Sequence, residues 1–296
     1  MKILLVGRNG QVGWELRRTL LPLGEVVAFD RERLDMSRPE TISSAVDRVS
    51  PDVIVNATAY TAVDRAETEE GLATTVNGTA VGALAEAARR HQAVLLHYST
   101  DYVFDGTANV PYAEDAAPCP QSAYGRSKLA GEQAIAEVGG DWMVFRTSWV
   151  YGVRGRNFMR TIAGASLERE ALRVVADQRG TPTAARTIAD LTAHALREAL
   201  LRRRDGAFPG GMYHLTARGE TTWHAFAESI VEAMRAARGD AVRTRSIEPI
   251  TTEQFAAPAP RPRYSVLDGT RFDHTFGLSR PDWKTAFELV FADYLV

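Results

Sequence analysis

A tyrosine and a lysine four residues apart, Tyr124 and Lys128 in the stretch Tyr-Gly-Arg-Ser-Lys, lie downstream of a Ser99-Thr100-Asp101 triplet, Tyr124 being the 24th residue after Thr100. Side chains at i and i+4 share a helix face, about 5–6 Å apart at their Cβ atoms, so an ammonium can sit beneath a phenol. A free tyrosine ionises near pH ~10, too high to trade protons readily at neutrality, and a neighbouring positive charge favours phenolate and lowers that value. Thr100, arriving from the end of an apolar strand, is placed to hydrogen-bond the same substrate oxygen and hold it against the phenol for general acid catalysis. Taken alone, a Tyr-x-x-x-Lys spacing is as common on solvated helix faces, so its weight comes from what accompanies it.

The accompaniment begins at the first residue. Met-Lys-Ile-Leu-Leu-Val at 1–6 reads as a buried parallel strand, and Gly7, Arg8, Asn9, Gly10, Gln11, Val12 and Gly13 lead into a helical pattern over 14–21. Strand, glycine turn and helix are the order a dinucleotide site requires: the glycines admit a pyrophosphate to the backbone, and the amides and dipole of the helix start favour its charge. The spacing is Gly-x-x-Gly-x-x-Gly, and a second apolar strand over 26–30 ends at Asp30, 23 residues after Gly7. An acid there accepts hydrogen bonds from the adenine ribose and favours NAD, while the adjacent Arg31 can meet a 2′-phosphate and admit NADP.

These residues need a scaffold, and the pattern supplies one. Strands are expected at 52–56, 93–97 and 142–148 and helices near 39–49, 72–91 and 123–138, the alternation of an α/β fold with a doubly wound parallel Rossmann sheet. The turn at 7–13, the loop at 56–60 and Ser99-Thr100 then converge at the carboxyl edge, where open sheets bind ligands. Residues 1–150 read as the dinucleotide-binding domain carrying the catalytic residues. Residues 151–296 read mainly as a smaller C-terminal substrate-binding lobe, with returns of the chain to the first domain, short strands at 172–176 and 212–216, and helices near 187–203, 222–237 and 282–295.

Composition excludes several other classes. With a formal charge of −2, the 296 residues offer no electrostatic case for nucleic acid or an anionic membrane. No stretch approaches ~20 uninterrupted apolar residues, so no membrane span is expected. Cys119 is the sole cysteine, which rules out an intramolecular disulfide and a cysteine-built metal site and makes a cytoplasmic protein the simplest reading. The histidines, His91, His97, His214, His224 and His274 among them, are scattered without ligand spacing.

The chain resembles the extended short-chain dehydrogenase/reductases, and within them the dTDP-4-dehydrorhamnose reductase branch. The likeness runs over nearly its whole length. It rests on Gly-Arg-Asn-Gly-Gln-Val-Gly-Trp-Glu-Leu at 7–16, Asn-Ala-Thr-Ala-Tyr-Thr-Ala-Val-Asp-Arg-Ala-Glu at 56–67 and Ser-Thr-Asp-Tyr-Val-Phe-Asp-Gly at 99–106. Further segments are Tyr-Gly-Arg-Ser-Lys-Leu-Ala-Gly-Glu at 124–132, Arg-Thr-Ser-Trp-Val-Tyr-Gly at 146–152, Asp177-Gln178 with Gly180 and Pro182, and Arg261-Pro262 with Ser265. The segments at 7–16 and 124–132 mark the superfamily, and those at 56–67, 99–106 and 146–152 mark the branch.

The resemblance implies reduction of the 4-keto group of dTDP-4-dehydro-6-deoxy-L-mannose to dTDP-L-rhamnose by NADPH, with NADH also accepted. In that scheme Tyr124 protonates the alkoxide, Lys128 holds the nicotinamide ribose and tunes Tyr124, and Thr100 orients the keto oxygen. Gly7, Asn9, Gly10, Gln11, Val12, Gly13, Asp30 and Arg31 would hold the cofactor, with Asn56, Ala57, Ala59 and Tyr60 lining it and Asp35 and Met36 near the adenine. Val63, Asp101 and Tyr102 would face the dTDP-sugar, Trp149 would pack on it, and Arg261 would clamp the diphosphate, a planar guanidinium suiting phosphate oxygens. Some members of the family hold magnesium with acidic residues at a subunit interface. Glu15 and Asp293 fall at matching positions, but the third position is Arg186, whose guanidinium repels a hard cation, so no metal is expected and the oligomer is a monomer or homodimer.

Two rivals share parts of this set. A 4-epimerase or dehydratase needs the same glycine turn, threonine, tyrosine and lysine, but dehydratases usually carry a second acid after the threonine, and here Asp101 is followed by Tyr102. A regulatory subunit resembling the non-catalytic partner of methionine adenosyltransferase has no need of an intact acid and lysine pair, and here Thr100, Tyr124 and Lys128 are all present.

Overall fold

The computed structural model describes all 296 residues. Lys2–Val6 (β1), Glu25–Phe29 (β2), Val53–Asn56 (β3), Val94–Thr100 (β4) and Trp142–Thr147 (β5) are joined by Gly211–His214 (β6) from far along the chain. All six pair in parallel in the order β6-β5-β4-β3-β1-β2. Strand side chains alternate between faces, and a sheet covered on both sides must be apolar on both. Accordingly Ile3, Leu5, Val53 and Val55 face one core with Leu16 of helix Gln11–Thr19 (α1) and Leu20 just after it, and with Ile188 and Leu196 farther along. Leu4, Val6 and Ile54 face the other, against Val46 of Ile42–Val49 (α2), Leu84 of Ala80–Arg90 (α3) and Ile135 of Ala123–Val138 (α4). The fold is the expected doubly wound α/β sheet. Its order reverses between β1 and β3, so their carboxyl ends open onto the crevice where such sheets take ligands.

Three local features place the catalytic segment. First, α4 starts on a Ser122 cap, whose Oγ accepts from the Gly125 amide at 3.1 Å. Second, a Cβ on Gly125 would lie 2.3 Å from the Tyr102 carbonyl oxygen, so only glycine lets the first turn of α4 press on the end of β4. Third, Arg146 of β5 grips Glu132 of α4 through two hydrogen bonds of 2.9 and 2.7 Å, both side chains almost wholly buried. Buried pairs hold only when the geometry is this complete.

The helix expected near 72–91 carries an irregularity that periodicity did not foresee: Glu70–Thr74 and α3 are joined through a π-helical turn at Thr75–Thr79. The turn carries buried Asn77 to α4 and the loop after β3: its amide nitrogen donates to Ser127 Oγ and Tyr60 O, and its oxygen accepts from the Tyr60 N–H. Beyond residue 150 a third core of Tyr151, Met159, Phe226, Ile230, Phe287 and Phe291 gathers helices Phe158–Glu168, Trp223–Arg238 and Trp283–Leu295. A short parallel pair, Ala171–Val175 with Ser246–Ile250, packs alongside. Between these segments Ala185–Arg204 and β6 return to the main sheet, and helix Thr270–Phe276, which the sequence pattern did not show, sends Phe272 and Phe276 into its core.

Candidate active site

At the β1 turn, Gly7 has φ +93°, and a Cβ there would lie 2.8 Å from Thr58 Cγ2 and 2.9 Å from the Ala57 backbone. A Cβ on Gly13 would lie 2.1 Å from the Gly7 carbonyl oxygen. The two glycines thus bring the turn, the end of β3 and the start of α1 together. No side chain caps α1 at Gly10, which leaves first-turn amides for an anion. A cavity of about 440 Å³ opens here, lined among others by Gly7, Asn9, Gly10, Asp30, Arg31, Asp35, Met36, Ala57, Ala59 and Tyr60.

The other residues expected at the cofactor sit outside that lining. Gln11 turns toward the second lobe, where its Oε1 accepts from Asn157 Nδ2 at 2.8 Å. Val12 packs on the first core, Gly13 lies beneath Gly7, and Asn56 is wholly buried. Asp30 does not stand free: Arg8, whose position inside the glycine motif was its only signal, pairs with it at 2.7 Å. Burial pushes the Asp30 carboxyl up, but the Arg33 amide and the Arg8 guanidinium outweigh it and hold the group below its usual range. Arg31, expected at a 2′-phosphate, is 80% exposed and pairs with Asp35 at 3.3 Å.

Around β4 the catalytic candidates converge. The Thr100 hydroxyl donates to Asp101 Oδ1 at 2.9 Å, accepts from the Tyr102 amide at 3.2 Å and adjoins the Tyr124 phenol. Tyr102 and Tyr124 meet edge to face with centroids 5.5 Å apart. Lys128 is buried, donates to the Tyr98 carbonyl at 2.7 Å and lies 3.1 Å from His97 Nε2. Burial brings its ammonium down to about 8, against a smaller upward pull from Glu132.

The spacing argument for a lowered tyrosine meets a different arrangement. Burial raises the Tyr124 phenol well above its usual value, the Asp101 and Tyr102 charges act the same way, and only the Thr100 hydrogen bond opposes them. The lysine nitrogen is engaged with β4 and brings no lowering to the phenol. His97, which had read as one scattered histidine among several, sits instead within the site.

The substrate candidates are dispersed. Val63 opens the short helix Val63–Ala66, and the next residue, Asp64, pairs with Arg261 at 2.8 Å. Arg261 also acts on Tyr102, and with it lines a small cavity of about 110 Å³. Its Nη1 is buried with no hydrogen-bond partner. Trp149 adopts φ +47°, rare for an aromatic, and stacks on Trp223 at 3.6 Å, while a Cβ on Gly180 would lie 2.4 Å from its indole. Glu15, Arg186 and Asp293 share the lining of another small cavity, in which Arg186 and Asp293 form an ion pair. No group of three or more histidine, cysteine, aspartate or glutamate side chains is arranged to hold a metal ion.

Residues 1–296 match the family model described as the RmlD substrate binding domain. The chain belongs to this family. It is 52% identical to a dTDP-4-dehydrorhamnose reductase of Burkholderia thailandensis, over 100% of this chain and 99% of that one. A crystal structure of a dTDP-4-dehydrorhamnose reductase from Clostridium acetobutylicum superposes with a TM-score of 0.90 at 34% identity, covering 100% of both chains. The Bacillus anthracis dTDP-4-dehydrorhamnose reductase, solved in complex with NADP, gives 0.87 at 32% identity over 99% of each. No helix of the chain is long and apolar enough to cross a membrane.

Proposed function

We propose that this chain reduces the 4-keto group of dTDP-4-dehydro-6-deoxy-L-mannose to give dTDP-L-rhamnose, the last step in making that sugar nucleotide, with NADPH as reductant and NADH also accepted. The observation that carries this reading is the convergence of Thr100, Tyr124 and Lys128 around the end of β4, in a sheet whose glycine turn and uncapped α1 suit a dinucleotide, in a chain 52% identical to a reductase of that name. When bound, a reduced nicotinamide supplies the hydrogen and electron pair that go to the carbonyl carbon.

The chain's own part is to place and protonate the substrate oxygen. Thr100 holds that oxygen beside the phenol, and Tyr124, kept protonated by burial, gives up its hydroxyl proton as charge develops there. Lys128 sits behind Tyr124 within reach of a ribose, Tyr102 and Arg261 receive the sugar nucleotide, and the free Nη1 donor of Arg261 suits a diphosphate oxygen. Arg8 shares the ribose end with Asp30, which supports acceptance of a 2′-phosphate. We place the dinucleotide on residues 1–150 and the sugar nucleotide mainly on 151–296. We read the protein as cytoplasmic, as a monomer or homodimer without a metal, and as having no nucleic-acid partner.

The test is loss of NADPH absorbance, and separately NADH absorbance, with enzymatically generated dTDP-4-dehydro-6-deoxy-L-mannose and the product identified by mass spectrometry. Oxidation coupled to dTDP-L-rhamnose is expected; cofactor binding without oxidation would sink the assignment. Tyr124→Phe is expected to cut turnover by about 10²–10⁴ with cofactor binding nearly intact, because it removes only the acid.

A further inference from the structure

Trp149 leaves β5 in a strained conformation. The strand ends at Thr147, which pairs with Thr100 across the sheet, and two residues on the backbone of Trp149 turns to φ +47°. That left-handed region crowds a Cβ against the backbone, so a large side chain stays there only where its surroundings over-determine it, and such residues gather at functional sites. The neighbours of Trp149 do hold it. Its carbonyl accepts from the Thr183 amide at 3.3 Å, and Ser148 just before it donates to the Thr181 carbonyl at 2.9 Å. Gly180 lies so close to the indole that a Cβ there would come within 2.4 Å of Cε2 and 2.6 Å of Cζ2 and Nε1. Trp223 stacks on the indole at 3.6 Å, with the ring planes 9° apart.

The stack is anchored in the second lobe. Thr221 and Thr222 pair antiparallel with Gly180 and Arg179, Thr222 caps helix Trp223–Arg238 by accepting from the Ala225 amide at 3.1 Å, and Trp223 is the first residue of that helix. Its indole meets Phe158 at 4.5 Å and packs against the third core. Trp149, in contrast, joins none of the apolar cores and stays half-buried. Burial therefore accounts for Trp223 but not for the strained turn that sets Trp149 against it. The strand holding Gly180 also seats the loop of Arg261: the Arg179 amide donates to the Arg263 carbonyl at 2.7 Å, and the Arg179 carbonyl accepts from the Ser265 amide at 2.8 Å.

We propose that Trp223 and Gly180 are positioning residues that fix the Trp149 indole just beyond the Thr100–Thr147 pair, where it receives the apolar face of the deoxysugar. An indole offers a flat apolar surface with a polar edge, and one that is already stacked needs no ordering when the sugar arrives. This inference rests on the reading of the chain as a reductase of a dTDP-sugar.

The test is the affinity of the full protein, with NADP⁺ present, for dTDP-L-rhamnose, measured by calorimetry. Trp149→Leu and Trp223→Leu should each weaken it by about tenfold, and Gly180→Ala, which keeps both indoles but displaces one, should do the same. NADPH affinity should not change. If Trp223 acts through Trp149, the double variant Trp149→Leu/Trp223→Leu binds within about twofold of Trp149→Leu alone. The far-ultraviolet exciton couplet of two stacked indoles is expected in the wild type and absent from both single leucine variants. Trp223→Phe keeps a ring for stacking, should recover most of the affinity, and serves if the leucine variant does not fold. Losses that add in the double variant, or that fall equally on NADPH, would show Trp223 acting through the fold and overturn the proposal. Single variants that bind dTDP-L-rhamnose as well as the wild type refute this inference alone, whereas a wild type that binds NADP⁺ but no dTDP-L-rhamnose refutes the functional reading and the inference with it.

Discussion

Asp101→Asn is expected to gain stability over the wild type as pH rises. Asp101 is 2% exposed; one oxygen accepts from Thr100 and the other is buried with no partner. Burial pushes its carboxyl from 3.8 up to about 6, against weaker downward pulls from the nearby Ser265 hydroxyl and from the Thr100 hydrogen bond. A carboxyl raised in the folded state binds its proton more tightly folded than unfolded. Its contribution to stability is therefore complete below pH 3.8 and is lost as pH climbs through about 6. A rise of roughly two pH units at about 1.4 kcal/mol each gives a loss of about 3 kcal/mol by neutrality, of which about 2 kcal/mol falls between about pH 4.5 and 7.5. The side chain is too deeply buried for solvent screening to reduce this appreciably.

Asparagine keeps the shape and carries no such proton. Urea unfolding of both proteins across that range yields the difference in stability at each pH, and groups common to both cancel. The difference should move toward the variant by about 2 kcal/mol, mostly below pH 6.5. A difference that stays flat, or that grows on the acid side, would show that Asp101 is not the buried, raised carboxyl described here.

Gly13→Ala sets a methyl 2.1 Å from the Gly7 carbonyl oxygen, so the glycine turn must open; NADPH affinity, read by nucleotide fluorescence, should fall by about 10²-fold or more, a loss of roughly 3 kcal/mol. Arg8→Leu should reduce the preference for NADPH over NADH by about ten- to a hundred-fold in KM, while Arg31→Leu, at an 80% exposed residue, should change it less than about threefold. The reverse ranking would move the 2′-phosphate to Arg31. Glu132→Ala leaves the Arg146 guanidinium buried and unpaired and should cost about 3–5 kcal/mol in urea unfolding.

What could be read in the chain is what depends on near neighbours. The strand at 2–6, the glycine turn and α4 lie where apolar runs, Ser122 and Gly139 place them, because strand period, turn glycines and helix caps act within a few residues. Arg8, Asn77 and Arg146 were not legible as parts of the site. Arg8 meets Asp30 only after β2 is laid beside β1, Asn77 reaches Ser127 across 50 positions, and Glu132 is in reach of Arg146 only once α4 lies on the sheet. Arg261 was legible as an available guanidinium, but not its anchor on Asp64, 197 positions away.

The lysine shows why identity and protonation separate in such a reading. The i, i+4 spacing does put Lys128 and Tyr124 on one face of α4, yet a four-carbon side chain has several nitrogen positions open to it, and the one adopted is set by the Tyr98 carbonyl and His97, 30 and 31 positions back. His97 is set in turn by Asn56 and Thr58 at the end of β3. The pairing of β3 with β4 brings Asn56 opposite His97, and burial of the phenol in the assembled site, with the Asp101 and Tyr102 charges acting the same way, sets the direction of the Tyr124 shift. A spacing rule evaluated on α4 alone gives a lowered phenol, suited to taking a proton. The assembled sheet gives a raised one, which keeps the hydroxyl protonated at neutral pH until charge develops on the substrate oxygen.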